Sequence, residues 1–364
     1  MSVRVGVNLL FLVPGRVGGA EVYLRHLLPR LKTLDPDLEL VLFTNRENHG
    51  TFPEYRRVLL PVRGQNLVHR VVAEQTTLVR AARKASLDLI FSPCYIGLSH
   101  PPCPQVLTLF DTNFLDCPGD FHRLILAVDR YLIRKGLEAS RMVLTLTDFS
   151  RTRIVQGLGV APEKVRVTPA AVSRRFGQPQ PCGMKRPFLF YVANTYRHKN
   201  AARLVRAFAS ISSRIPHDLV ILGRKHRGEP PCHPRVRRLR RVSFENLVGL
   251  YQACDLFVFP SWYEGFGLPV LEAMAAGARV AAARAAAIPE VAGEGATYFD
   301  PEDQAGIAST ILEVLGEPPE KRARMLEQAR AQAASFSWER WARLTLEAFT
   351  SCAESSSGRG AVSV

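Results

Sequence analysis

Two glutamates, Glu264 and Glu272, bracket seven residues in the stretch Pro260-Ser-Trp-Tyr-Glu264-Gly265-Phe266-Gly267-Leu268-Pro269-Val-Leu-Glu272. The first lies in a glycine-rich loop after an apolar run, the second about one turn into the next helical stretch. Gly265 and Gly267 let backbone N–H groups face a ligand, and Pro269 suits the first turn of a helix, whose free N–H groups attract anions. A carboxylate beside a phosphate would repel it, so both glutamates are better suited to accepting hydrogen bonds from sugar hydroxyls. A solvated acid at each position is the plainer alternative, but it does not explain why both flank the glycines.

Two further clusters could meet an anion. Arg197-His198-Lys199 follows the apolar run Phe188–Val192 and precedes a helical stretch. Cations at the carboxyl end of a strand can contact phosphate, although an ordinary solvated loop has the same composition. Gly18-Gly19-Ala-Glu21 follows the first apolar run and opens a helix. Its spacing fits neither a dinucleotide fingerprint nor a P-loop, and a tight strand-to-helix turn accounts for it equally well. Asp35-Pro36-Asp37 reads as turn chemistry. The seven cysteines show no zinc-type spacing, and the adjacent Cys232-His233 is poor geometry for one metal. Reduced thiols and no metal site are expected.

Charge narrows the partners. Lys and Arg number 48 against 33 Asp and Glu, a net +15 over 364 residues, which predicts an anionic partner: nucleic acid, a lipid surface or a phosphorylated ligand. No aromatic–basic stacking platform or nucleic-acid motif is present, so nucleic acid is not the expected partner. Residues 224–241 hold eight Lys/Arg against Glu229. They suit either a solvated strand edge or an anionic membrane or acceptor patch, and 66–85, with Arg70, Arg80, Arg83 and Lys84, is a second candidate. No run reaches the length of a spanning helix. The N-terminal apolar run is broken by Asn8 and followed by Arg16, so it reads as a buried strand rather than a secretory signal. A cytoplasmic location, with peripheral contact at the inner membrane face, is the expectation.

These residues need a scaffold. Apolar runs at 3–9, 39–43, 88–91, 106–110 and 142–146 alternate with helical spacing at 20–34, 66–85, 121–139 and 149–158. After a Pro/Gly-rich pause the alternation resumes: strands at 188–192, 219–222, 256–259, 279–283 and 297–299, helices at 201–213, 244–253 and 269–276, and a helical tail. Strand–helix repetition argues for an α/β fold of parallel sheets covered on both faces. The expected division is 1–172, a linker at 173–187, a second domain at 188–336, a returning helix at 337–352 and a disordered tail at 353–364. Ligands of such sheets sit beyond the strand carboxyl ends, so the interdomain cleft is the default site.

From Gly18-Gly19-Ala-Glu21 through Ala253-Cys-Asp-Leu-Phe-Val-Phe-Pro-Ser261, the Glu264–Glu272 pair and Ile288-Pro-Glu290-Val-Ala-Gly293 to Phe336-Ser-Trp338, the chain resembles the retaining glycosyltransferases of family 4. The resemblance implies the GT-B fold, two facing Rossmann-like doubly wound domains with an interdomain cleft. It implies a hexosyltransferase, mannosyl by the family's habits, using a nucleotide diphosphate sugar and a glycan or lipid-linked acceptor in cell-surface polysaccharide synthesis, with no metal or other cofactor. Glu264 would bind the transferred sugar, Glu272 the ribose, and Lys199, Arg197 and His198 the phosphates. Gly265, Phe266, Gly267 and Leu268 would hold the diphosphate from one domain, and Gly18 and Gly19 from the other. Asp111 is the remaining half of a His-Asp pair whose histidine is here Phe110. That departure leaves open a catalytically weak or silent member acting as a binding protein. The family's Arg-Lys pair reads His198-Lys199, and Arg240 stands where relatives often have glycine.

Overall fold

The computed structural model describes residues 3–16, 18–184, 187–192, 196–224 and 233–357, with side chains described to residue 354. Val17, Lys185, Arg186, 193–195, much of the basic stretch (225–232) and 358–364 lie outside the described residues.

The chain forms two wholly parallel sheets. The first contains β1 (Arg4–Asn8), β2 (Glu39–Thr44), β3 (Arg56–Leu59), β4 (Leu89–Ser92), β5 (Gln105–Thr108), β6 (Met142–Thr145) and β7 (Val165–Val167), in the order β3-β2-β1-β4-β5-β6-β7. The second contains β8 (Phe188–Val192), β9 (Asp218–Leu222), β10 (Val236–Leu239), β11 (Leu256–Phe259), β12 (Val280–Ala283) and β13 (Thr297–Phe299), ordered β10-β9-β8-β11-β12-β13. Central strands such as β4, β11 and β12 are buried at every position, because helices cover both faces. The α/β, doubly wound GT-B architecture is therefore the fold of this chain.

β3, β7 and β10 are absent from the sequence reading. Their sequences, Arg56-Arg-Val-Leu, Val165-Arg-Val and Val236-Arg-Arg-Leu, carry arginine where the fully buried β11 and β12 carry only apolar residues. All three are sheet edges, where charged side chains discourage pairing with other chains. At β10 the charge also has a structural use. Arg235 and Arg237 flank the buried Asp218 at 3.6 and 2.8 Å, so these two cations of the basic stretch answer an internal carboxylate.

The switch in strand order falls between β1 and β4 in one sheet and between β8 and β11 in the other. Helices leave the sheet in opposite directions there, opening a crevice at the carboxyl ends. The segments after β1, β4, β8 and β11 carry Gly19, Tyr95, Lys199 and Glu264, so all four residues are delivered to one cavity.

Between the sheets, Phe176 is buried against Phe244 and Tyr251, with ring centroids 5.2 and 5.9 Å away, and its carbonyl accepts from Gln252 Nε2 at 3.0 Å. The last helix, Trp338–Ser357, packs on the first domain: Trp341 meets Tyr23 edge-on at 4.3 Å, Trp338 stacks on His26 at 4.2 Å, and Phe349 meets Phe91 at 5.0 Å. It runs past residue 352, where disorder was expected, and Ala353 is buried on the same face.

Candidate functional site

Lys199 closes a short turn, Arg197–Lys199, after β8. Its carbonyl accepts from the buried Tyr191 hydroxyl, and the next residue, Asn200, is in the left-handed region at φ 59°. Asn200 is tolerated there because its amide bonds the carbonyls of Pro260 and Pro301 at 3.1 and 2.8 Å. This pins the turn to the loop after β11. The result is a contact of 2.7 Å between Lys199 Nζ and Glu264 Oε1, with both side chains largely buried.

At Gly265 the two domains pack backbone against backbone. A Cβ there would lie 2.4 Å from Asp111 Cβ and 2.7 Å from the Phe110 carbonyl, so no other residue fits without moving backbone. Gly267, at φ 93°, caps the helix Leu268–Ala276 in a conformation that favours glycine.

Four polar ties from the first domain close the cleft around this contact. The Gly265 carbonyl accepts from Thr147 Oγ1 at 2.8 Å and Ser150 Oγ at 3.1 Å. Tyr263 OH accepts from the Thr112 backbone N–H at 3.0 Å. Glu290 accepts the N–H groups of Asp148 and Phe149, at 2.8 and 3.0 Å, capping the helix Asp148–Leu158. Asp120 accepts the Arg197 N–H at 2.7 Å and stands 2.6 Å from His198 Nδ1.

A cavity of about 640 Å³ lies between the domains. Gly19, Lys199, Glu264, Gly265, Phe266, Gly267 and Leu268 line it, together with Asp111 and Phe110. Gly18, Arg197, His198 and Glu272 are not among its described lining. Gly18 holds the turn before the helix at φ 54°. Arg197 is exposed and His198 is buried against Asp120. Burial pushes the Glu272 carboxyl up to about 7, against the opposing hydrogen bond that it accepts from the Tyr251 hydroxyl at 2.9 Å. Among the described residues one group could offer three ligand atoms to a metal, Cys117, Asp120 and His198, within 4.8 Å of one another. Asp120 there already takes a backbone N–H and the His198 ring, which suits an interdomain clasp.

Asp111 is enclosed by the cleft walls. Burial raises its carboxyl above the usual range and nearby Glu264 adds to this, opposed by the Asn113 N–H at 3.0 Å, the Tyr95 hydroxyl and Lys199. Tyr95 is held at φ 45°, a conformation that bulky side chains rarely adopt, at the cavity wall. Phe110 fills the space between Tyr23 and Tyr95, with edge-on centroid distances of 5.1 and 5.8 Å. Asp120, Tyr263 and Thr147 were not singled out from the sequence as functional residues. Pro118-Gly119-Asp120 looks like any turn, and only the fold brings it to His198.

Two family models cover most of the chain: Glycosyltransferase Family 4 matches residues 17–175, and Glycosyl transferases group 1 matches residues 175–332. The chain is 27% identical over 338 residues to O-antigen chain mannosyltransferase B of Escherichia coli, covering 86% of each. Its structure resembles sucrose-phosphate synthase from Thermosynechococcus elongatus, with TM-score 0.78, 18% identity and coverage of 96% of this chain and 98% of that one. It also resembles Anabaena Alr3699/HepE, solved in complex with UDP-glucose, with TM-score 0.70, 18% identity and coverage of 96% and 99%.

Proposed function

From the premise that this chain belongs to the family 4 glycosyltransferases of group 1, with the GT-B fold, we propose that it moves a mannosyl group, with retention, from a nucleotide diphosphate sugar to a glycan or lipid-linked acceptor in cell-surface polysaccharide synthesis. The observation that carries this is the Lys199–Glu264 pair, at 2.7 Å, beside the Gly265–Gly267 backbone in the interdomain cavity. The O-antigen relative supports mannose as the sugar, and the sugar nucleotide in HepE supports the donor class.

Breaking the anomeric C–O bond develops positive charge on the sugar and extra negative charge on the leaving diphosphate. Lys199 and the N-terminus of the helix Leu268–Ala276 are fixed in advance to meet the latter. Glu264 accepts hydroxyls of the transferred sugar, and Glu272 those of the ribose. The acceptor hydroxyl enters on the face the diphosphate leaves, and a phosphate oxygen takes its proton. Fixed cations supply the electrostatics, so the reaction is metal-independent in this reading. The interdomain ties limit water in the cleft and hence donor hydrolysis.

Exposed Leu67, Val68 and Val72 on one helix, and Leu124, Ile125 and Val128 on another, support peripheral contact with a cytoplasmic membrane face. Both helices also line the cavity, through Arg70 and Asp129, so a lipid-linked acceptor would reach it directly. Among the described residues no helix is long and apolar enough to cross a membrane.

Phe110 at the cavity wall favours one other reading, a silent binding protein. A nucleotide-sugar panel separates the two. The transferase reading expects one donor to raise the melting temperature most and to release its nucleotide above background. Stabilisation without release by any donor would favour the binding protein.

A further inference from the structure

The cavity extends beyond the Lys199–Glu264 pair into the first domain, where it meets a buried acid. Glu74 sits in a single π-helical turn, Glu74–Leu78, between the helices Leu67–Ala73 and Val79–Lys84. Such turns are rare and shift the side-chain register locally. Here the neighbouring Ala73, Leu78 and Ala82 are core residues, yet Glu74 is 2% exposed. An acid that deep is costly unless its oxygens find donors.

Glu74 has found only half of them. Asn8 Nδ2 donates to Oε1 at 3.4 Å, and Arg70 Nε stands 3.8 Å away, beyond hydrogen-bond reach. Glu74 Oε2 and Arg70 Nε are both buried without a hydrogen-bond partner. Both residues line the cavity. One acceptor and one donor therefore stand unsatisfied side by side.

We infer that Arg70 and Glu74 form the acceptor-reading subsite of the cleft, where a hydroxyl of a neutral glycan donates to Glu74 Oε2 and accepts from Arg70 Nε. A single hydroxyl can do both at once through one oxygen. An anionic ligand group would meet two carboxylates, Glu74 and the cavity-lining Asp129, around the one guanidinium. A cationic group would meet Arg70. The subsite shares its cavity with Cys94, Tyr95 and Asp111, and so with the transfer centre.

The inference rests on the transferase reading, and its test separates the two. Octyl α-mannoside, β-glucoside, β-galactoside and N-acetylglucosaminide are each assayed for acceleration of nucleotide release over donor hydrolysis. At least one accelerates the wild type. Its KM rises about tenfold or more in Glu74→Gln and in Arg70→Met, the scale of leaving a buried partner unpaired, while kcat and the donor KM change about twofold at most. An unchanged glycoside KM in both variants, a donor KM that rises in parallel, or hydrolysis that no glycoside accelerates would overturn the subsite. Absence of nucleotide release from every donor would overturn the transferase reading and the subsite with it.

Discussion

On the second-domain wall of the cleft, Lys199 and Glu264 meet at 2.7 Å and each answers the other's charge. On the first-domain wall, Glu74 and Arg70 stand 3.8 Å apart with buried atoms unpartnered, and Asp111 is held above the usual carboxylate range by its burial. The first arrangement is preorganised for a ligand bearing strong charge, since a fixed cation needs no rearrangement as diphosphate charge grows. The second is arranged for neutral hydroxyls, which complete hydrogen bonds without adding charge to a poorly solvated wall. In the proposed reading, one cavity is divided between a donor side and an acceptor side.

The largest expected effect breaks the donor side. Lys199→Ala should lower turnover by roughly 10²–10³, the scale of deleting one preorganised anion donor; steady-state nucleotide release with the donor saturating measures it. Glu264→Ala should weaken sugar-nucleotide binding by about 10–100-fold and bare-nucleotide binding about twofold at most, because only the former contains the hydroxyls it accepts. Calorimetric titration of both ligands checks this, and equal losses would remove Glu264 from the sugar.

Asp120→Ala acts on the seam joining the walls. It strips the Arg197 N–H and the His198 ring of their partner, costing the closed form about 1–3 kcal/mol. The outcome expected is a kcat/KM about tenfold lower with a melting temperature down by a few degrees.

The smallest effect sharpens the contrast in charge. Burial pushes Glu74 up to about 7 from 4.5, so between those two values the folded chain holds a proton that the unfolded chain releases, and above about 7 both are ionised. Its contribution to stability is full below pH 4.5 and is lost as pH rises to about 7. Urea unfolding at pH 5 and pH 8 should show Glu74→Gln removing a decline of about 1–3 kcal/mol.

The central strands were legible because a strand buried on both faces reads as an unbroken apolar run, as in Leu256-Phe-Val-Phe259. The arginine-bearing edges β3, β7 and β10 were not, because residues such as Arg56-Arg57 and Arg237-Arg238 carry surface chemistry inside a strand. The second-domain lining of the cavity was legible for a related reason: Glu264 to Gly267 and Lys199 lie in short segments directly after strands. The basic cluster misled in one respect. Three adjacent cations look alike in sequence, but the turn sends Lys199 into the cavity and His198 against Asp120. Glu74, Arg70 and Tyr263 gave little signal, since their neighbours are set by tertiary packing. Only an acid among Ala73, Leu78 and Ala82 hinted at the π-helical turn.

The division of the cleft is tested most directly by measuring nucleotide release with and without an accepting glycoside for Lys199→Ala and Glu74→Gln side by side. The account predicts that Lys199→Ala slows both reactions together and preserves their ratio, whereas Glu74→Gln lowers the ratio of glycoside-stimulated to background release about tenfold. A ratio that moves equally in the two variants, or in neither, would contradict it.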